Sequence, residues 1–337
     1  MTPSRLWLQI FIAGFAVIAA LLAVTLATPV PYGDLSRIGR ISDGEFGWHR
    51  PAPQVDPAYL RSWAPSDAEI LVIGDSFSMT GRWQSALVRS GYTVSTIFWN
   101  HFGNALCDDF EAWLAQSGFK GKLVIVESTE RLLNERLTAS AQCRTAKIAM
   151  RTNAVEFLPP PEIPPRSMLN WSAKLTTGWI SYFNTRRAKS SNDVFDAGKN
   201  AIVRPVPDGC ALFSHQLCDK ALFFGDDEDN GELTPKDVAI MQAFNKAHAS
   251  IPIVWTVIPN KTTVYVEPDH SKDFAASFRQ SGLGPDLFGF ATEEKTQIQD
   301  FFFPNDTHLS MHGQLALGQR MLEVVRKFVP QPSARAS

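Results

Sequence analysis

Ile70-Leu71-Val72-Ile73 is apolar at every position, and it ends on Gly74-Asp75-Ser76. A strand without a polar face has no side for water, so it belongs inside a parallel sheet with helices over it. Leu123-Val124-Ile125-Val126 and Ile253-Val254-Trp255-Thr256-Val257-Ile258 are runs of the same kind, and Tyr92 to Phe98 reads as a further strand. Between these runs Trp83, Ala86 and Leu87, and then Phe110, Trp113 and Leu114, recur at helical spacing. The resulting β-α-β-α order predicts an α/β chain built on a doubly wound parallel sheet.

Ser76 falls on the turn after the first of these strands, where open α/β sheets keep their ligand sites. A helix starting there offers unpaired N–H groups and a positive dipole end, both suited to an oxyanion. Gly-Asp-Ser is also ordinary turn and capping chemistry, so the local pattern alone leaves a nucleophile and a cap both open.

The far end of the chain favours the nucleophile. Asp306-Thr307-His308 precedes a helix that Ser310 is placed to cap and that runs to about Phe328. A serine hydroxyl needs a base, and a histidine base works best when a carboxylate fixes its tautomer. The two-residue spacing of Asp306 and His308 puts both on one side of an extended loop. His312, four residues on, leaves a metal site with Asp306 and His308 as a further option. His101 reads as a surface loop residue or a neighbour of Ser76, and Trp83 and Trp99 as core or sugar-stacking residues.

The formal charge of −2 over 337 residues argues against a nucleic-acid partner. Leu6 to Ala27, about 22 residues with Arg5 before them and no charge inside, can span a bilayer core of about 30 Å. An uncleaved anchor is the preferred reading over a cleaved signal peptide, and either exports the bulk of the chain. The four cysteines suit an oxidising compartment, with Cys107–Cys143 and Cys210–Cys218 as the expected pairs; a zinc site is the weaker alternative. The expected organisation is an anchor over 1–28, a Pro/Gly-rich tether over 29–67, a catalytic domain over 68–330 and a disordered tail over 331–337. Leu158-Pro159-Pro160-Pro161 and the polar stretch after it read as an insertion over about 156–233, with a helix from Met168 to Lys189.

Gly74-Asp75-Ser76-Phe77-Ser78 and the late Asp306-Thr307-His308 resemble the paired signatures of the SGNH (GDSL-type) hydrolase superfamily. Pro259-Asn260-Lys261-Thr262-Thr263-Val264-Tyr265 is similar to the proline-x-lysine…tyrosine segment of the alginate O-acetyltransferase family, and Glu127-Ser128-Thr129-Glu130-Arg131 to that family's Glu-Arg segment. The resemblance implies a flavodoxin-like three-layer sandwich with Ser76 as nucleophile, His308 as base and Asp306 as orienting carboxylate. It makes Gly103 and Asn104 candidates for the oxyanion hole, and Lys261, Tyr265 and Arg131 candidates for substrate contact. It further implies an exported O-acetyltransferase without cofactor or metal. Its acceptor is an exopolysaccharide hydroxyl, and its acetyl groups come from a membrane-embedded acyltransferase at the periplasmic face of the inner membrane. An esterase acting on glycans or lipids and a non-catalytic polysaccharide-binding scaffold are the alternatives.

Overall fold

The computed structural model describes residues 2–28, 31–150, 155–156, 169–171, 174–198, 200–229 and 231–330. The chain forms two compact bodies: a smaller one from Met1–Arg50, Ile163–Gly225 and Phe303–Thr307, and a larger one from Pro51–Glu162, Asp226–Phe302 and His308–Ser337.

The larger body is organised on a four-stranded sheet in the order Val94–Phe98, Ile70–Gly74, Leu123–Thr129, Ile253–Ile258, with every pairing parallel. All five residues of the Ile70–Gly74 strand are buried, as its lack of alternation requires. On one face Leu71, Ile73, Val124 and Val126 join a core with Phe110, Trp113, Leu133 and Met241. Each fully buried side chain of this kind contributes roughly 1.5–3 kcal/mol. On the other face, Thr256 donates to Met321 Sδ on the final helix, Met311–Phe328, at 3.7 Å. That helix lies close on the helix Gln84–Arg89, since a Cβ on Gly318 would stand 2.5 Å from the Trp83 carbonyl oxygen.

Several boundaries match local chemistry. Thr234 and Asp237 form a reciprocal capping box at the start of Pro235–Ala247, and the Ser310 hydroxyl accepts the Gly313 N–H at 3.3 Å. One expectation fails beside Ser76. No helix starts there: Ser76–Ser78 is a single 3₁₀ turn, Gly81 takes a positive φ of 65°, and the helix proper begins at Gln84. The break removes most of the dipole that a long helix would have aimed at Ser76.

The smaller body corrects the expected organisation. The stretch read as a tether carries the short helices Asp34–Gly39 and Asp43–Phe46, whose Leu35, Ile41 and Phe46 are fully buried with Ala188, Val203 and Leu222. Most of the stretch read as an insertion supplies the other half of that core. It contains the helix Thr177–Ser190 and an antiparallel sheet of Phe195–Asp196, Ala201–Pro205 and Lys220–Phe224. The catalytic domain expected over 68–330 is therefore not one compact unit. The proline run 158–165, Met168 and the tail 331–337 lie outside the described residues.

Pro3–Ala27 is the one helix among the described residues that is long and apolar enough to cross a membrane. Both expected disulfides are present, Cys107–Cys143 and Cys210–Cys218, which sets aside a zinc site on these cysteines.

Candidate active site

The Ile70–Gly74 strand delivers Asp75 and Ser76 to the carboxyl edge of the sheet. Asp75 shapes the turn, its Oδ1 accepting the Phe77 N–H at 3.1 Å. Its Oδ2 accepts the Thr129 N–H at 2.9 Å and Arg136 Nη1 at 2.8 Å, in an ion pair whose side chains are each 7% exposed. Burial alone would raise the Asp75 carboxyl; the Arg136 charge and these hydrogen bonds outweigh it and hold it below its usual value.

Glu127 stands on the neighbouring strand, its Oε2 accepting the Asp75 N–H at 2.9 Å and the Ser78 hydroxyl at 2.8 Å. Its Oε1 is buried and has no hydrogen-bond partner among the described residues. Burial first, and the nearby Asp75 charge second, push the Glu127 carboxyl well above the usual range and favour its protonated form. Gly74 leaves room for this cluster, because a Cβ there would stand 2.8 Å from Glu127 Oε2 and closer still to Ser78 Oγ.

His308 comes from the opposite end of the chain. The chain leaves the larger body at Phe302 and re-enters it at His308. An antiparallel bridge between Phe302 and Leu309 and a 3.0 Å bond from the Ser310 N–H to the Phe301 carbonyl fasten that re-entry. The Phe77 ring packs on the imidazole with centroids 4.8 Å apart. His308 Nε2 and Ser76 Oγ lie 2.7 Å apart although 232 residues separate them in sequence. Both side chains are half-buried, so the hydroxyl is held and still reachable. The Ser76 N–H donates to no acceptor among the described residues and faces no competition for an oxyanion.

Asp306 belongs to the smaller body, where its Oδ2 accepts the Asp34 N–H at 2.9 Å. Asp34 in turn accepts the Thr307 N–H at 2.9 Å and the Thr307 hydroxyl at 2.6 Å, fixing the two residues before His308.

The other candidates fall elsewhere. Gly103 and Asn104 both take positive φ on an exposed turn, and among the described residues no hydrogen bond joins either to Ser76. Arg131 Nη1 pairs with the buried Asp227 at 3.1 Å, and Asp227 also accepts the Thr262 hydroxyl at 3.1 Å. Lys261 and Tyr265 are buried, and the Tyr265 hydroxyl accepts the Phe302 N–H at 3.3 Å while burial raises its pKa. These three therefore support the fold around Pro259 rather than offering an exposed contact. His312 Nε2 bonds the Pro51 carbonyl at 3.0 Å, and His101 is exposed with its ring edge-on to Phe98. Trp83 and Trp99 are core residues, donating to Ser78 Oγ at 3.1 Å and the Glu127 carbonyl at 2.7 Å.

Sequence reasoning missed Arg136 and Asp34; it read Asp75 only as a turn or cap residue and Glu127 only as part of a family-like segment, not as members of one buried cluster. Glu127 did leave a signal, a carboxylate at the end of the apolar run 123–126, where a buried charge calls for a partner. Asp34 left none. Comparison with protein-family models, curated proteins and solved structures finds no match to this chain.

Proposed function

We propose that the protein is an exported, membrane-anchored acyl-transfer enzyme of SGNH type that moves an acetyl group through Ser76 to a polysaccharide hydroxyl. The observation that carries the reading is the 2.7 Å approach of Ser76 Oγ to His308 Nε2. Helices against both faces of the parallel sheet support the doubly wound arrangement. The two disulfides support an oxidising compartment such as the periplasm.

In the first half-reaction, Oγ attacks the acetyl carbonyl as its proton passes to His308 Nε2. The Ser76 N–H stabilises the tetrahedral oxyanion, and the leaving group takes the proton from His308 as the acyl-serine ester forms. A sugar hydroxyl then gives its proton to His308, attacks the ester carbonyl, and departs acetylated while Ser76 recovers its proton. By its spacing two residues before His308, Asp306 is the carboxylate assigned to the imidazole. A membrane-embedded acyltransferase is the proposed source of acetyl groups.

The half-exposed Ser76 favours a second reading, since water reaching the acyl-enzyme makes the same site an esterase. The detergent-solubilised chain, given an activated acetyl ester with and without oligosaccharide, decides between them. Acetylated oligosaccharide as the main product supports the transferase, and acetate as the main product in both tubes supports the esterase. If Ser76→Ala turns over the ester as fast as the parent chain, the acyl-serine reading is wrong.

A further inference from the structure

The last turn of the apolar helix Pro3–Ala27 is built into the smaller body. Thr25 is buried; its hydroxyl donates to the Leu175 carbonyl at 2.6 Å and accepts the Gly178 N–H at 3.3 Å. The Asn170 N–H donates to the Leu26 carbonyl at 2.9 Å. Gly178 makes the approach possible, because a Cβ there would stand 2.5 Å from Thr25 Cα and 2.7 Å from Thr25 N. A segment cut away as a signal peptide would take these contacts with it, so they favour a retained anchor. They also fix residues 169–171 and 174–178 at the level where a membrane-spanning Pro3–Ala27 would leave the bilayer.

The side chains brought to that level are apolar and uncovered. Trp171 is 77% exposed, Leu169 53%, Tyr182 50% and Phe183 49%. The helix Thr177–Ser190 buries its small residues Gly178, Ser181, Thr185 and Ala188, which turns its aromatic side chains outward. Trp179, Tyr182 and Phe183 form one aromatic group, with ring centroids 5.5–6.3 Å apart. Arg186, Arg187 and Lys189 follow on the same helix, exposed, and among the described residues none of them has an ion-pair partner. A cavity of about 480 Å³ opens where Val24, Ala27 and Thr28 meet Tyr182, Arg186 and Lys189. Glu45 lines it too, so its wall carries both signs, as a zwitterionic headgroup does. Amphipathic aromatic rings beside unpaired basic side chains suit the membrane–water interface, where the rings leave water and the cations meet lipid phosphate.

We propose that the helix Thr177–Ser190 is a second membrane element. It lies in the interface beside the anchor, with Trp171, Tyr182 and Phe183 at headgroup depth and the basic residues on lipid phosphate. The occupant of the exposed aromatic face is thus the bilayer surface, argued from its continuity with the apolar helix and from its charge.

The test uses the full chain in vesicles of phosphatidylethanolamine and phosphatidylglycerol. A nitroxide is placed in turn at Tyr182→Cys, Phe183→Cys and, in the middle of the apolar helix, Ile12→Cys; unchanged circular dichroism shows that each variant folds. The ratio of collisions with oxygen, which concentrates in lipid, to collisions with a water-soluble nickel chelate is then measured. At 182 and 183 it should be several-fold above that of free label in buffer and below that at 12. Values at 182 and 183 equal to free label overturn the proposal, as does exclusion of both collision partners, which would mean a protein cover. A water-like value at 12 overturns it as well, because the anchor on which it depends would then be absent.

Discussion

Removing the Arg136 guanidinium while keeping its apolar stem, as in Arg136→Met, isolates what the buried ion pair does for the Ser76 turn. Arg136 Nη1 bonds Asp75 Oδ2 at 2.8 Å and Ser128 Oγ at 2.7 Å, and its guanidinium lies 4.9 Å above the Trp99 ring. At an effective dielectric of about 20, unit charges this close attract by about 6 kcal/mol. Part of that gain is offset by relieving the desolvation of the guanidinium, and breaking such a buried pair costs roughly 3–5 kcal/mol. The expected loss of stability at pH 7 is therefore roughly 3–5 kcal/mol, read by urea unfolding in detergent.

The dependence on pH tests the cause. In the parent chain the Asp75 carboxyl lies below its unfolded value, so its contribution is present above that value and is lost as pH falls through the folded one. Without Arg136 burial prevails and raises the carboxyl. Its ionised form then destabilises the fold at neutral pH, and acidification relieves this by protonation. The gap between variant and parent should therefore shrink from pH 7 to pH 4. Because Asp75 also caps the turn that carries Ser76, labelling by a serine-directed phosphonate should slow by roughly ten- to a hundredfold. A loss below about 1 kcal/mol, or a gap that widens on acidification, refutes the argument.

Asp306→Asn should lower ester turnover by about 10²–10⁴-fold while unfolding shifts far less, and a fall under tenfold removes Asp306 from the proton chemistry. Glu127→Gln should flatten the pH profile of stability. The raised Glu127 carboxyl gives stability that is present below its unfolded value and lost as pH rises through the folded one, and unfolding between pH 4 and 8 measures that loss. Replacing Cys107 and Cys143 by serine opens a loop with a sequence separation of 36 and should cost about 4 kcal/mol; the Cys210 and Cys218 pair, with a separation of 8, should cost about 2.5 kcal/mol. Comparison of unfolding midpoints for the two double variants checks that order.

What could be read from the sequence was local. The strands around Ile70, Leu123 and Ile253 announce themselves by runs that leave no polar face, and Ser76 and His308 by the turn and loop chemistry beside them. The Asp75–Arg136 pair spans 61 residues and the Asp75–Glu127 bond 52, distances over which pattern carries no information about pairing. The misread tether has a similar cause. Helices of six and four residues, Asp34–Gly39 and Asp43–Phe46, are too short to establish a period, and their apolar side chains find partners only at Ala188, Val203 and Leu222. The helix expected at Ser76 was lost to Gly81, whose positive φ ends the turn before an α-helix can propagate.

The smaller body draws on three stretches of chain, and the last of them, Phe303–Thr307, follows the second only after the strand Ile253–Ile258 and much of the larger body. Asp34 and Thr307, whose hydroxyl donates to the Asp34 carboxylate at 2.6 Å, stand 273 residues apart. Closing so long a loop is slow. In refolding from urea, Leu35, Ile41 and Phe46 should therefore gain their final surroundings late, and protease protection of the smaller body should trail that of the larger one.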